Sequence, residues 1–600
     1  MSSTPLLPQN DPNTQARQKS LQTSQDEYQY KYDYQALDGV AMAKGVPDGE
    51  KPKLKWITKA IRVAIKIAKN KLYNDLEPND HLSPLKIAKD FVKFQIKLKI
   101  TNQDPLEALL SLAKHFVIEN KNKVVRPQDL DDYNKYFKSL DIPEISQNFQ
   151  EDGIFARMQV AGQNPIMLTC LNTISADFPV TDALLQSVAG FENDTLAAAS
   201  SENRLYFTDY IALKDIVNGD SGSGQKYSYA PKTLFAIPLN AANLKTALRP
   251  IAIQCGQVVD DNNPIFNPND GMAWEIAKTI VQIADFNYHE LITHLAATHL
   301  LIEPFVVTTH RQLADNHPLK LLLLPHFEGT IFINWGAQES LVADGGPFDK
   351  MFSGTMASNR QLVGARLQKS FNEAMLIKDL ERRGVNNDKL FYPYRDDALK
   401  LWQATADWVS DYLDLYYPDD NAIIDDTELQ AWANELVSGG QVKGFGDNEG
   451  DGEKITTLKY LKEAVTMVIF TGSSQHAAVN FTQRDFSGYT PNMPAAGYSP
   501  APENKDKTEQ DWYDVLPPFN IANDQVDLTQ LLSGVNYTTL GKYKRRHFKD
   551  RRVRDPLDDF ATKLEDIEDE IEERNEEAKV AGVAPYIYML PSKIPQSINI

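Results

Sequence analysis

In KLKWITKAIRVAIKIAKNKL (53–72), Leu54, Ile57, Ile61, Ile65, Ala68 and Leu72 recur at helical spacing, while Lys55, Lys59, Arg62, Lys66 and Lys69 fall on the other side. The pattern predicts a basic amphipathic helix, and PLKIAKDFVKFQIKLKI (84–100) repeats it with Ile87, Phe91 and Phe94 set against Lys86, Lys89, Lys93 and Lys97. WEIAKTIVQIADFNYHELITHLAATHLLIEPF (274–305) keeps helical periodicity with little turn chemistry before Pro304, which predicts a long buried helix. A second long apolar helix is expected around 455–484, and DDFATKLEDIEDEIEERNEE (558–577) reads as an acidic surface helix. Near the front, Tyr28, Tyr30, Tyr32 and Tyr34 alternate with polar residues, so an extended segment would place them on one side.

These elements predict a mainly α protein with a few short strands and no internal repeat. Residues 1–50, rich in Gln, Asn, Ser, Thr and Asp, read as an extended or partly disordered arm that docks on the body. Residues 51–125 read as a basic helical extension and 126–600 as one large domain.

Composition narrows the function. At 600 residues with 42% hydrophobic and 24% charged positions, the chain has the make-up of a globular protein with a large core. A formal charge of −20 argues against nucleic acid as a partner, because phosphates are repelled by such a surface. Yet residues 51–100 carry 13 Lys and Arg against 4 Asp and Glu, a sharp local reversal. Two cysteines, Cys170 and Cys255, are too few for a disulfide framework or a thiolate cluster. With no basic leader and no uninterrupted apolar run near the ~18 residues of a membrane span, the expected location is cytoplasmic.

Six of the ten histidines lie between 289 and 326: His289, His294, His299, His310, His317 and His326. On an ordinary α-helix, residues five apart diverge by roughly 140°, so His294 and His299 could not share an ion. A π-type turn stacks such residues, and one is therefore expected here. In HAAVN, His476 and Asn480 at i,i+4 already share a face of an ordinary helix. Three imidazoles with oxygen donors suit a first-row transition metal, and spacing alone leaves iron and zinc open. A zinc hydrolase would call for an H-E-x-x-H helix, which the sequence lacks.

YHELITHLAATHLLIEPFVVTTHRQLADNHPLKLLLLPHF (288–327), SSQHAAVNF (473–481) and PYIYMLPSKIPQSINI (585–600) together resemble the lipoxygenases, non-haem iron dioxygenases of polyunsaturated fatty acids. The resemblance covers roughly residues 150 to 600 and implies one iron, with manganese the lesser alternative, held by His294, His299, His476, Asn480 and the terminal carboxylate of Ile600. It implies a ferric hydroxide centre that removes a bis-allylic hydrogen from linoleic, α-linolenic or arachidonic acid, after which dioxygen is trapped as a hydroperoxide. Gln483 matches a family glutamine that orients a ligand, and Glu290 replaces the commoner glutamine after the Tyr-His pair.

The same resemblance places Ala337 at a position linked to S rather than R products, Leu341 on the channel wall, and Phe352 at a channel-depth position. Met493 stands where many plant relatives have an arginine, so tail-first insertion of the fatty acid is expected. Plant and animal lipoxygenases begin with a β-barrel, and no alternating strand pattern occurs at the front of this chain. The basic helices take its place, and Lys55, Trp56, Lys59, Arg62 and Lys66 are expected to meet an anionic membrane surface. A monomer is expected. The alternative to an enzyme is a non-catalytic lipid-binding protein on the same scaffold, whose signature would be a lost ligand.

Overall fold

The computed structural model describes residues 5–75, 125–448 and 454–600, so the second basic segment, 84–100, lies outside the described residues. Helices dominate. Labelled in chain order, those used below are α1 (Thr14–Glu27), α2 (Leu54–Asp75), α3 (Met272–Gln312), α4 (Thr330–Gly336), α5 (Met356–Leu367), α6 (Pro393–Asp414), α7 (458–480), α8 (Phe519–Leu532) and α9 (Arg554–Val580). A ribbon pairs β1 (Tyr30–Lys31) with β2 (Met42–Ala43). An antiparallel sheet follows in the order β3 (Thr169–Cys170), β4 (Leu205–Asp209), β5 (Lys232–Ala236), β6 (Arg249–Gln254) and β7 (Ile265–Phe266).

α3 is the axis of the molecule. It is long and apolar enough to cross a membrane, but 94% of its most apolar window is buried inside the protein, as befits a core helix. Its middle third, His289–Leu300, is π-helical, as the five-residue histidine spacing predicts. α7 has the same device, with a π turn at Thr471–Gln475 just before His476. α6 packs between α7 and α9, and α9 turns Phe560, Leu564, Ile567 and Ile571 inward at helical spacing. The acidic helix expected at 558–577 is thus solvated on one face only.

The N-terminal segment lies on the body, but Thr14–Glu27 is helical rather than extended. Its sequence is polar all round, so no apolar stripe announces the helix. What anchors it is a buried charge: Arg17 is 6% exposed and donates to Glu428 Oε2 at 2.8 Å and to Asp11 Oδ2 at 3.0 Å. The tyrosines follow it onto the surface of α3. Tyr28 stacks on His310 with ring centroids 3.9 Å apart, and the Tyr30 hydroxyl lies 2.6 Å from Thr308 Oγ1.

α2 has the expected amphipathic form, with Lys55, Arg62, Lys66 and Lys69 exposed, but its apolar face is already occupied. It packs on α8 and on the segment that follows it. Trp56, expected at a membrane surface, is 3% exposed, with its ring edge-on to Phe332 at 4.8 Å. That expectation is corrected: the indole is a packing group, because its N–H finds a carbonyl partner in the protein rather than a lipid interface. Lys59 is likewise drawn inward, donating to the carbonyl of Asn536.

Candidate metal centre

The π stretch of α3 brings His294 and His299 onto one face, and the start of the last turn of α7 delivers His476. All three are buried. His294 Nε2 lies 3.2 Å from His299 Nε2, and His476 Nε2 lies 3.1 Å from the same atom. The far sides of two rings reveal their tautomers. Glu290 Oε2 sits 3.2 Å from His294 Nδ1, and Asn334 Oδ1 sits 2.7 Å from His299 Nδ1. Both oxygens accept, so each ring carries its proton on Nδ1 and presents a bare Nε2 lone pair to the cluster.

Burial keeps His299 and His476 neutral. Burial lowers the His299 imidazole to about 3, with His294 adding to the effect. Burial, then His299 and His294, push the His476 imidazole well below its ordinary value. Burial works against the ionised form of Glu290, but its contact with His294 Nδ1–H helps to hold the carboxyl well below the usual range. Neutral imidazole nitrogens facing one another at hydrogen-bond distance repel unless a cation lies between them, so the donor set fits a bound metal ion.

Asn480 lies one turn beyond His476 on α7, and Ile600 lies beside the His476 ring. Asn480 Nδ2 donates to Leu532 O at 2.9 Å, and Gln483 Nε2 lies 3.4 Å from Asn480 Oδ1. Ile600 is 7% exposed, and its backbone faces the His476 ring. The chain end is strapped in place. His326 Nδ1 donates to Gln596 O at 2.9 Å, Ser597 Oγ to Glu328 O at 2.7 Å, Thr330 Oγ1 to Ile598 O at 3.2 Å, and Trp56 Nε1 to Asn599 O at 2.6 Å. His289 lies outside the cluster: Nε2–H donates to Val479 O at 2.8 Å, and Nδ1 accepts from Gln163 at 3.0 Å.

The other sequence-derived positions are distributed around this centre. Ala337 opens and Leu341 closes a π turn continuing α4, both half-buried. Phe352 is 1% exposed and packs on Phe286 and Phe348, with centroids 5.0 and 4.7 Å away. Met493 is fully buried, and its backbone carbonyl accepts from Gln525. Sequence reasoning missed Asn334, Glu303 and the role of Trp56. The only available signal was a lone polar residue, Asn334, inside the apolar run TIFINW.

A helical body with three buried imidazoles converging on one point has the donor set of a metal site. The family model for lipoxygenases matches residues 46–591, and the chain belongs to that family of oxidoreductases. It is 35% identical to the linoleate 9/13-lipoxygenase of Pseudomonas aeruginosa, over 99% of this chain and 93% of that one. It is 36% identical to human polyunsaturated fatty acid lipoxygenase ALOX15B, over 76% of this chain and 66% of the human protein. Among solved structures, the coral 8R-lipoxygenase superposes with a TM-score of 0.82 at 26% identity, covering 100% of this chain and 83% of that one. Among the described residues, the part before residue 150 forms helices and a two-stranded ribbon, with no barrel.

Proposed function

We propose that this protein is an iron lipoxygenase that dioxygenates fatty acids containing a 1,4-pentadiene unit, such as linoleic, α-linolenic and arachidonic acid, to hydroperoxides. One observation carries the reading: the Nε2 atoms of His294 and His476 lie 3.2 and 3.1 Å from His299 Nε2, with the Nδ1 protons of His294 and His299 committed elsewhere. These imidazoles, with the Asn480 amide oxygen and the Ile600 carboxylate, would hold the ion. Iron bound there supplies the one-electron chemistry that removes a bis-allylic hydrogen.

The chain's own residues do the rest. Glu290 and Asn334 fix ring tautomers, and Gln483 restrains the Asn480 amide. Ala337, Leu341, Phe352 and Met493 are proposed to shape the path of the fatty acid. Met493 offers no cation for a substrate carboxylate, which favours insertion of the methyl end first. Lys55, Arg62 and Lys66 remain exposed on α2, and each cation is worth up to about 1 kcal/mol near an anionic bilayer. Reversible membrane association through this face is part of the proposal.

The test is oxygen uptake on adding linoleate to protein of known iron content, with His476→Ala as control. Uptake that scales with iron and vanishes in the variant is the expected result. An iron-loaded protein that consumes no oxygen with any of the three fatty acids would overturn the reading in favour of a lipid-binding scaffold.

A further inference from the structure

The oxygen that holds the His299 proton belongs to an amide, and an amide can turn either way. Asn334 presents Oδ1 to His299 Nδ1 at 2.7 Å. Were the amide reversed, its NH2 would face Nδ1, the ring proton would move to Nε2, and His299 would lose the lone pair that points into the cluster. Something must therefore set the orientation of Asn334. Its Nδ2 donates to two acceptors, His299 O at 3.0 Å and Glu303 Oε2 at 2.8 Å.

Glu303 is 1% exposed and lies one turn beyond His299 on α3. No cation pairs with it among the described residues. Its other oxygen, Oε1, accepts the backbone N–H of Ala43 at 2.7 Å. Ala43 belongs to β2 of the N-terminal ribbon, 260 positions earlier in the chain. A relay thus runs from the N-terminal arm to the cluster in three links: Ala43 N–H to Glu303, Glu303 to Asn334, and Asn334 to His299.

We infer that Glu303 is a positioning residue that dictates the tautomer of His299, and that the N-terminal ribbon, through the Ala43 N–H, is a working part of the metal centre. While Glu303 is ionised both its oxygens accept, one from the Ala43 N–H, so the Asn334 amide turns its NH2 toward Glu303 and its oxygen toward the imidazole. A reversed amide would set oxygen against carboxylate in a water-free interior, which is strongly unfavourable. The inference rests on the proposed metal centre, but concerns which proton His299 carries and what holds it there.

The relay predicts a rescue that a merely structural role does not. In Glu303→Gln, the oxygen of the new amide is held by the Ala43 N–H, so its NH2 meets the Asn334 NH2 and pushes that amide to reverse. In Asn334→Asp, a carboxylate faces Glu303. In the double variant Glu303→Gln/Asn334→Asp, the introduced amide donates to the introduced carboxylate, which in turn accepts the His299 proton. The hydrogen bond between the two side chains is thereby restored, and the imidazole again meets an acceptor.

The readouts are cobalt(II) titration of the apoprotein followed by visible absorption, iron retained under a chelator, and kcat against KM for linoleate. Each single variant is expected to bind metal at least 10-fold more weakly and to lose kcat with KM little changed, and the double variant to recover part of the loss, since the donation from residue 334 to His299 O is not rebuilt. Ala43→Pro, which removes the donor of the first link and also fixes the local backbone, is expected to weaken metal binding in the same direction, with the thermal midpoint as a folding control. A folded Glu303→Gln with wild-type cobalt affinity, or a double variant no better than the worse single one, would overturn the inference. Wild-type protein that takes up neither metal would instead refute the metal centre itself, so the two failures are distinguishable.

Discussion

The indole N–H of Trp56 donates to the carbonyl oxygen of Asn599 at 2.6 Å, one residue before the chain end. A helix near the front of the chain therefore holds the peptide that carries Ile600, the residue proposed to supply a carboxylate ligand. Trp56→Phe keeps a ring against Phe332 but removes the donor and leaves a buried carbonyl short of a partner, at a cost of about 1–3 kcal/mol. The expected outcome is a lower thermal midpoint and faster loss of iron to a chelator, with kcat reduced in proportion to iron occupancy. Full iron retention in Trp56→Phe would show that the strap does not bear on the ligand.

Gly329 makes room for the same tail. It adopts φ of 100°, and a Cβ added there would lie 2.9 Å from Asn599 Cβ. Gly329→Ala therefore meets both backbone strain of about 1–2 kcal/mol and a collision with the segment carrying Ile600. Activity is expected to fall at least 10-fold while far-ultraviolet circular dichroism stays that of the wild type. Gly364→Ala, where an added Cβ meets nothing within 4 Å, is the matched control and should retain activity.

Extending the chain tests the end itself. With Ile600 7% exposed and the tail tied by His326, Thr330 and Trp56, two added residues move the carboxylate away from His476. Appending Gly-Ser after Ile600 is expected to abolish oxygen uptake and to drop iron content below about one tenth of the wild-type level. Retained iron with normal turnover would remove Ile600 from the ligand set.

The exposed cations of α2 bear on the membrane proposal. Triple charge reversal, Lys55→Glu with Arg62→Glu and Lys66→Glu, changes residues that are exposed, so folding should be preserved. Co-sedimentation with vesicles containing anionic lipid is expected to fall several-fold at low salt, while turnover of dispersed linoleate is unchanged. Equal co-sedimentation of variant and wild type would leave α2 as a packing element only.

What could be read from the sequence followed from chemistry that is local in the chain. His294 and His299 at a spacing of five demanded a π turn, and HAAVN placed His476 and Asn480 on one face, because helical geometry alone relates such residues. Trp56 was misassigned for the opposite reason: an amphipathic helix shows that one face is apolar, not what covers it. Here the cover is Phe332 and the tail, hundreds of residues away. The helix α1 was illegible because it is held by Arg17 against Glu428 rather than by any periodic apolar stripe. The relay through Ala43, Glu303 and Asn334 joins three distant segments by single hydrogen bonds, a relationship that no spacing encodes.

His326 carries a pH dependence whose sign follows from its surroundings. Its Nδ1–H donates to Gln596 O, so Nε2 accepts from the Tyr543 hydroxyl at 2.9 Å, and the ring is neutral and fully engaged. Burial lowers its pKa to about 3, against 6.5 for an ordinary imidazole. Between pH 6.5 and 3 the unfolded chain binds a proton that the folded chain refuses, so stability is lost as pH falls, by up to about 1.4 kcal/mol per unit. His326→Gln can still donate to Gln596 and accept from Tyr543 but cannot titrate. Urea unfolding at pH 6.5 and 5.5 should therefore show the wild type losing about 1 kcal/mol more than the variant over that step. Equal losses in the two proteins would mean that the ring already accepts a proton in the folded state, and that the strap on Gln596 survives it.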